Sequence, residues 1–157
     1  MKALICHEFA PIDRLSLEEV ASPVPQEHQV VVKVMAASVN FPDALIVQGL
    51  YQMKPAFPFS PGAELAGEII QVGAQVKNWQ VGDRVIASSG YGAFEQECVV
   101  DEAKLMPLPQ AMSFELGSAF VLTYGTSLHA LKECAQLQAN ETVLILGAAG
   151  GVGIAAI

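Results

Sequence analysis

The segment TVLILGAAGGVGIAAI, residues 142–157, joins an apolar run of β-formers to a glycine-dense turn and then to small residues suited to open a helix. That order is how a dinucleotide phosphate site begins: glycines let backbone N–H groups approach a pyrophosphate, and the following helix N-terminus presents unpaired N–H dipoles. Gly150 and Gly153 fill the last two glycine positions of a G-x-G-x-x-G pattern whose first position is Ala148. The glycines alone are thus a variant match, and the strand-turn-helix context carries the reading; a tight turn kept only for packing is the alternative. A complete βαβ unit takes roughly 30 residues, and here only its strand, turn and first helical residues follow one another. With no ribose-reading residue or parallel neighbour strand after it, the chain is expected to be the front part of a larger protein.

Upstream, the pattern changes character. Short β-branched runs, KALIC, QVVVKVMAAS, AGEIIQVGAQV, DRVIASS and FEQECVVD, recur between turn residues such as Gly73, Gly82 and the Gly90-Tyr91-Gly92 cluster, which predicts a mostly antiparallel, barrel-like β domain. NFPDALIVQG (40–49) interrupts them, and Pro42 suits the first turn of a short helix. Pro55, Pro58 and Pro61 make the next stretch an extended surface loop. From Ser113 apolar residues fall at helical spacings, predicting two helices joined near Tyr124-Gly125, with Ser113 opening the first. NETVLILG then supplies a turn and a buried strand. The expected fold is mainly β with α/β: a β domain over residues 1–122 and the beginning of an incomplete α/β domain over 123–157.

Composition narrows the partners. The formal charge of −8 and the scattering of the eight basic residues leave no stripe to neutralise a phosphate backbone, which argues against nucleic acid. Cys6, Cys98 and Cys134 form no C-x-x-C pair and are odd in number, so the reading is reduced thiols without a disulfide framework or zinc knuckle. No apolar segment has a signal peptide's flank or a membrane span's length, and the expected location is the cytoplasm. His7, His28 and His129 are far apart in sequence and suggest no metal site.

Several ordered motifs together are more specific than the glycine turn. ASVNFPDALIVQGLYQMKPAFPFSPGAELAGEIIQVG, VGDRVIA, GAFEQECVV, LTYGTSLHAL and NETVLILGAAGGVG run in the order seen in the zinc-free quinone oxidoreductase (zeta-crystallin-like) branch of the medium-chain dehydrogenase/reductase superfamily, which the chain resembles over essentially its whole length. The resemblance implies a chaperonin-10 (GroES)-like β domain followed by a Rossmann domain, with NADPH and a small-molecule substrate in the cleft between them. Zinc alcohol dehydrogenases share this architecture, but the positions resembling their first cysteine and their cleft histidine hold Asn40 and Ala63, which cannot make that zinc site.

The implied chemistry is hydride transfer from NADPH to a quinone or another conjugated carbonyl; NADH is not distinguished, because the discriminating residues lie beyond Ile157. By resemblance, Asn40 and Tyr51 are the catalytic candidates. Asn40 and Tyr51 also face the cofactor, with Thr126 beside the nicotinamide and Ala149, Gly150, Gly151, Val152 and Gly153 at the pyrophosphate. Each has a plainer alternative: Asn40 as a helix cap, Tyr51 as packing, Thr126 as an N-cap after Gly125. Asp43 is expected to hold the NFPD turn, Glu64 to pair with a basic group, and Phe41, Phe57 and Phe59 to wall an apolar pocket or fill the core. The family also implies a homodimer. Two other functions fit the residues: enoyl-thioester reduction, or a non-catalytic scaffold whose unfinished edge needs a partner.

Overall fold

The β-branched runs pair as expected of an antiparallel sheet, and their burial shows which ones sit at its centre. In a computed structural model describing residues 1–157, the chain divides into two compact units, Met1–Ser118 and Ala119–Ile157. The first contains strands β1 (Lys2–Ile5), β2 (Ser16–Glu19), β3 (Gln29–Ala37), β4 (Glu64–Val72), β5 (Arg84–Ser88), β6 (Glu97–Asp101) and β7 (Leu105–Pro107). A five-stranded antiparallel sheet has the order β6-β3-β4-β5-β7, and β1 and β2 form a separate two-stranded sheet, with Ala3 of β1 also bridging Glu95. Val30, Val31 and Val32 in β3 are wholly buried, which requires cover on both faces of that strand. The main core gathers Val30, Val32, Leu65, Ile69, Val85 and Val100.

β2 and β7 carry little hydrophobic signal. β2 is SLEE, set by register against β1 with Leu4 opposite Leu17. β7 is three residues ending in Pro107 at the sheet edge, where a missing N–H breaks no ladder. Helix α1 (Phe41–Val47) follows β3, and α2 (Phe114–Ser118) lies on the sheet. Ser113 opens α2, its Oγ accepting the Leu116 N–H at 3.3 Å. Gly117 in α2 sits so close that a Cβ there would lie 2.6 Å from Leu108 Cδ1 and 3.3 Å from Ala66 Cβ. Arg84 fixes the segment leading to α2, donating to the carbonyls of Pro109, Gln110 and Met112 at 3.2, 3.1 and 2.7 Å. Its guanidinium also lies 4.5 Å from the Phe114 ring centroid.

Two expectations are corrected in the second unit. The helical stretch breaks at Ala119 (φ −106°, ψ 5°), not near Gly125. Gly125 lies inside α3 (Phe120–Leu128), because one exposed glycine lowers helix stability by only about 1 kcal/mol and does not by itself terminate a helix. The chain then widens into a π-helical segment, His129–Cys134. Residues 143–146, expected as a buried strand, pair with nothing: Leu144 is 83% and Leu146 84% exposed. A strand forms only where a neighbour takes its N–H and C=O groups, and this unit contributes helices alone, ending in α4 (Gly151–Ala156). No helix is long and apolar enough to cross a membrane.

Two contacts in the sheet generate measurable consequences. At Gly67 the β3 backbone approaches so closely that a Cβ would stand 2.1 Å from the Lys33 carbonyl oxygen, beside a register shift between Val34 and Ala36. Gly67→Ala must move backbone, and the expected cost is about 1–3 kcal/mol, read from the midpoint of urea unfolding. Near β6, Gly92 leaves room for Glu95 Oε1 and Cys98 Sγ, each 3.2 Å from where its Cβ would be. Burial pushes the Glu95 carboxyl up from 4.5 to about 7, against a counteracting hydrogen bond with Cys98, while burial first and Glu95 second push the Cys98 thiol up to about 12. Folded Glu95 therefore holds its proton where the unfolded chain has released it, and its contribution to stability falls as pH rises from 4.5 to about 7. Glu95→Gln should flatten that part of the stability-versus-pH curve in urea titrations.

Candidate functional site

Asn40 occupies the residue before α1 in extended conformation (φ −121°, ψ 156°), where a short polar side chain is favoured. Pro42 fits the first turn, whose N–H groups have no helical partner. The Asn40 N–H donates to Asp43 Oδ2 at 2.7 Å and the Asp43 N–H to the Asn40 carbonyl at 3.0 Å, closing the NFPD turn. The Asn40 side-chain amide points elsewhere: Nδ2 donates to Ser38 Oγ at 2.8 Å and to Glu64 Oε1 at 3.1 Å. Ser38 Oγ also donates to Glu64 Oε1, at 2.6 Å.

Glu64, the first residue of β4, is wholly buried. Donors from Ser38 and Asn40 reach its carboxyl group. Asp43, 3% exposed, lies close behind. Burial raises its pKa; the amides of Asn40 and Ala63 pull it down, the charge of Glu64 adds to the rise, and the Gly62 amide opposes it. Sequence reasoning missed Ser38, whose only signal is its place two residues before Asn40, on the same side of an extended segment.

Tyr51 is half-buried and packs on a small cluster of Cys6, Ile46, Val47 and Phe59. The three phenylalanines divide. Phe59 is core, 5% exposed, Phe41 is 77% exposed, and Phe57 meets Phe9 edge-on at 4.7 Å between centroids. Phe57, Phe59 and Tyr91 continue the aromatic chain at 5.7 and 6.3 Å. Phe9 and Tyr91 join it from distant parts of the sequence, which is why neither was legible as a neighbour of Tyr51's loop.

In the second unit Thr126 is exposed in the interior of α3, so it does not cap a helix. Ser127, one residue on, is buried, and its Oγ donates to the Val152 carbonyl at 2.8 Å, tying α3 to α4. Gly147 has φ +70°, a left-handed conformation that a side chain would strain. Gly150, extended, precedes α4, and a Cβ on buried Gly153 would lie 2.4 Å from the Gly147 carbonyl oxygen. The 147–153 turn therefore closes only without a side chain at Gly153, while one at Gly147 would meet open space but strain the backbone. Ala149, Gly150, Gly151 and Val152 are exposed beside the first N–H groups of α4, which have no partner within the helix. Those residues fit a pyrophosphate: small, open, and rich in N–H donors.

Histidines remain apart. His7 Nε2 meets Glu18 Oε1 at 2.7 Å, His28 Nδ1 meets Glu102 Oε1 at 3.1 Å, and His129 Nε2 lies 3.5 Å from Cys134 Sγ. No three histidine, cysteine, aspartate or glutamate side chains come together in a metal-holding group.

The family model of the alcohol dehydrogenase GroES-like domain matches residues 26–110, more than half of the chain and the whole span from β3 to β7. The chain belongs to the alcohol dehydrogenase GroES-like family. The relatives that this GroES-like chain matches include proteins named quinone oxidoreductase, the group whose motifs its sequence resembles. The chain is 40% identical to the quinone oxidoreductase of Mus musculus over 157 residues, which is 99% of this chain and 47% of that protein. The Escherichia coli quinone oxidoreductase complexed with NADPH superposes with a TM-score of 0.94 at 32% identity, covering 99% of this chain and 48% of that one. The CurK enoyl reductase superposes at 0.85 with 33% identity, covering 99% and 49%. The GroES-like chain thus spans about half the length of the curated relatives it matches.

Asn40→Ala deletes both side-chain amide bonds and leaves the buried Glu64 carboxylate short of one donor. The expected loss is about 1–3 kcal/mol in urea unfolding, with Asn40→Ser recovering part of it.

Proposed function

We propose that this chain supplies the substrate-side domain and the opening of the cofactor domain of an NADPH-dependent, zinc-independent oxidoreductase that reduces quinones or other conjugated carbonyls. The observation that carries the reading is the Ser38-Asn40-Glu64 network: an amide stands where the resemblance puts a zinc alcohol dehydrogenase's cysteine, and its direction is fixed by a buried carboxylate. Ala63, next to Glu64, offers no ligand at the histidine position. An amide and a methyl group cannot serve as soft or imidazole ligands, and a conjugated acceptor needs none, since its own π-system takes up the charge.

When bound, NADPH supplies the hydride. In the second unit, the N–H groups of the 149–153 turn would hold the pyrophosphate and Thr126 would face the nicotinamide end; in the β domain, Asn40 would face the cofactor and the Tyr51 hydroxyl would donate a hydrogen bond toward the acceptor's carbonyl oxygen. Catalysis of this kind is mainly positioning, with one donor aimed where negative charge develops. Homodimerisation belongs to the same reading. Enoyl-thioester reduction is the second reading, favoured by the likeness to the CurK enoyl reductase.

The 157-residue chain, mixed with NADPH and a benzoquinone, should show no turnover approaching about 1 per second, followed at the NADPH absorbance. A polypeptide extended to the length of the relatives should oxidise NADPH with quinones, and its Tyr51→Phe variant should lose kcat by roughly 10- to 100-fold. Enzyme-like turnover by the short chain, or an extended protein active on enoyl thioesters and inert to quinones, would overturn the reading.

A further inference from the structure

The second unit holds a pair that the reductase chemistry does not use. Cys134 and His129 are both exposed, with Sγ 3.5 Å from Nε2. They stand five residues apart, a spacing that an α-helix, at about 100° per residue, turns well away from a common face. The π-helical segment His129–Cys134 brings them together: the Ala135 N–H reaches back five residues to the Ala130 carbonyl at 2.9 Å, and the widened turn stacks position i on i+5. Lys132 and Glu133, the charged neighbours on the segment, are occupied with each other at 3.8 Å. Cys6 and Cys98 are buried, so Cys134 is the thiol that meets solvent.

A thiol beside an imidazole is the arrangement that makes sulfur nucleophilic at neutral pH, because the ring nitrogen takes the proton as sulfur attacks. We propose that Cys134, assisted by His129, is a modification site for soft carbonyl electrophiles, quinones and enones, which it captures by conjugate addition. The Cys134 S–H proton passes to His129 Nε2, and the sulfur electron pair forms a C–S bond at the carbon β to the carbonyl. The C=C π pair shifts toward the carbonyl oxygen, which takes a proton from the imidazolium. With a benzoquinone, tautomerisation gives a hydroquinone thioether; the addition needs no other oxidant or reductant. The site does not depend on the reductase reading, since it requires neither NADPH nor a complete cofactor domain.

The test treats the 157-residue chain with substoichiometric benzoquinone at neutral pH and maps adducts by mass spectrometry. Cys134 should carry the first adduct. Its rate should exceed that of the same chain in concentrated urea, and His129→Gln should slow it roughly tenfold. The difference should shrink in alkali, where any thiol ionises unaided. N-ethylmaleimide should reproduce the order, showing that the pair and not quinone redox chemistry is responsible. A native rate for Cys134 no higher than in urea, an unchanged rate in His129→Gln, or a first adduct on Cys6 or Cys98 would overturn the proposal. The urea comparison uses wild-type protein alone and stands whatever the variant does to the helix.

Discussion

A carboxylate with no solvent exposure at the head of a central strand constrains everything around it. Glu64 is stable there only if hydrogen bonds replace the water it has lost. Ser38, just past the end of β3, and Asn40, at the entrance to α1, supply two of them. The same bonds hold the β3 end, the α1 start and β4 at one point, so the direction of the Asn40 amide follows from the burial of Glu64. Asp43, pressed into the same place by the NFPD turn, adds a second carboxyl to the interior and pins the Asn40 backbone.

The sheet that carries this point is drawn tight by absent side chains. Gly67 lets β3 and β4 approach where their register shifts, and Gly117 lets α2 settle on Ala66 and Leu108. Arg84 holds the connection between them by its carbonyl bonds and its stacking on Phe114. The loop after α1 is bounded differently, by the aromatic chain from Phe9 through Phe57 and Phe59 to Tyr91, with Tyr51 resting on the Phe59 side.

Much of this was legible beforehand because the residues involved are close in sequence. The NFPD turn, its helix, the proline loop and five strands each carry a local signal: alternation, a capping residue, or a ring that forbids helix. β2 and β7 had none, since one is acidic and the other ends in proline; a partner strand alone defines them. Residues 143–146 show the reverse, a strand signal with no neighbour to complete it. Gly125 misled for a similar reason, as a weak helix former in sequence that the surrounding helix simply absorbs.

The sequence by itself determined the family, the antiparallel β class and the glycine turn, because ordered motifs and local propensities are properties of the chain. Only the tertiary structure decided what each candidate side chain does. Glu64 takes donors from Ser38 and Asn40, Phe59 goes to the core while Phe57 stays half outside, and Ser38 and Ser127 emerge as tethers. His129 meets Cys134 because a turn widens by one residue. Hydrogen bonds and contacts of this kind depend on distances across the fold, and spacing along the chain does not encode them.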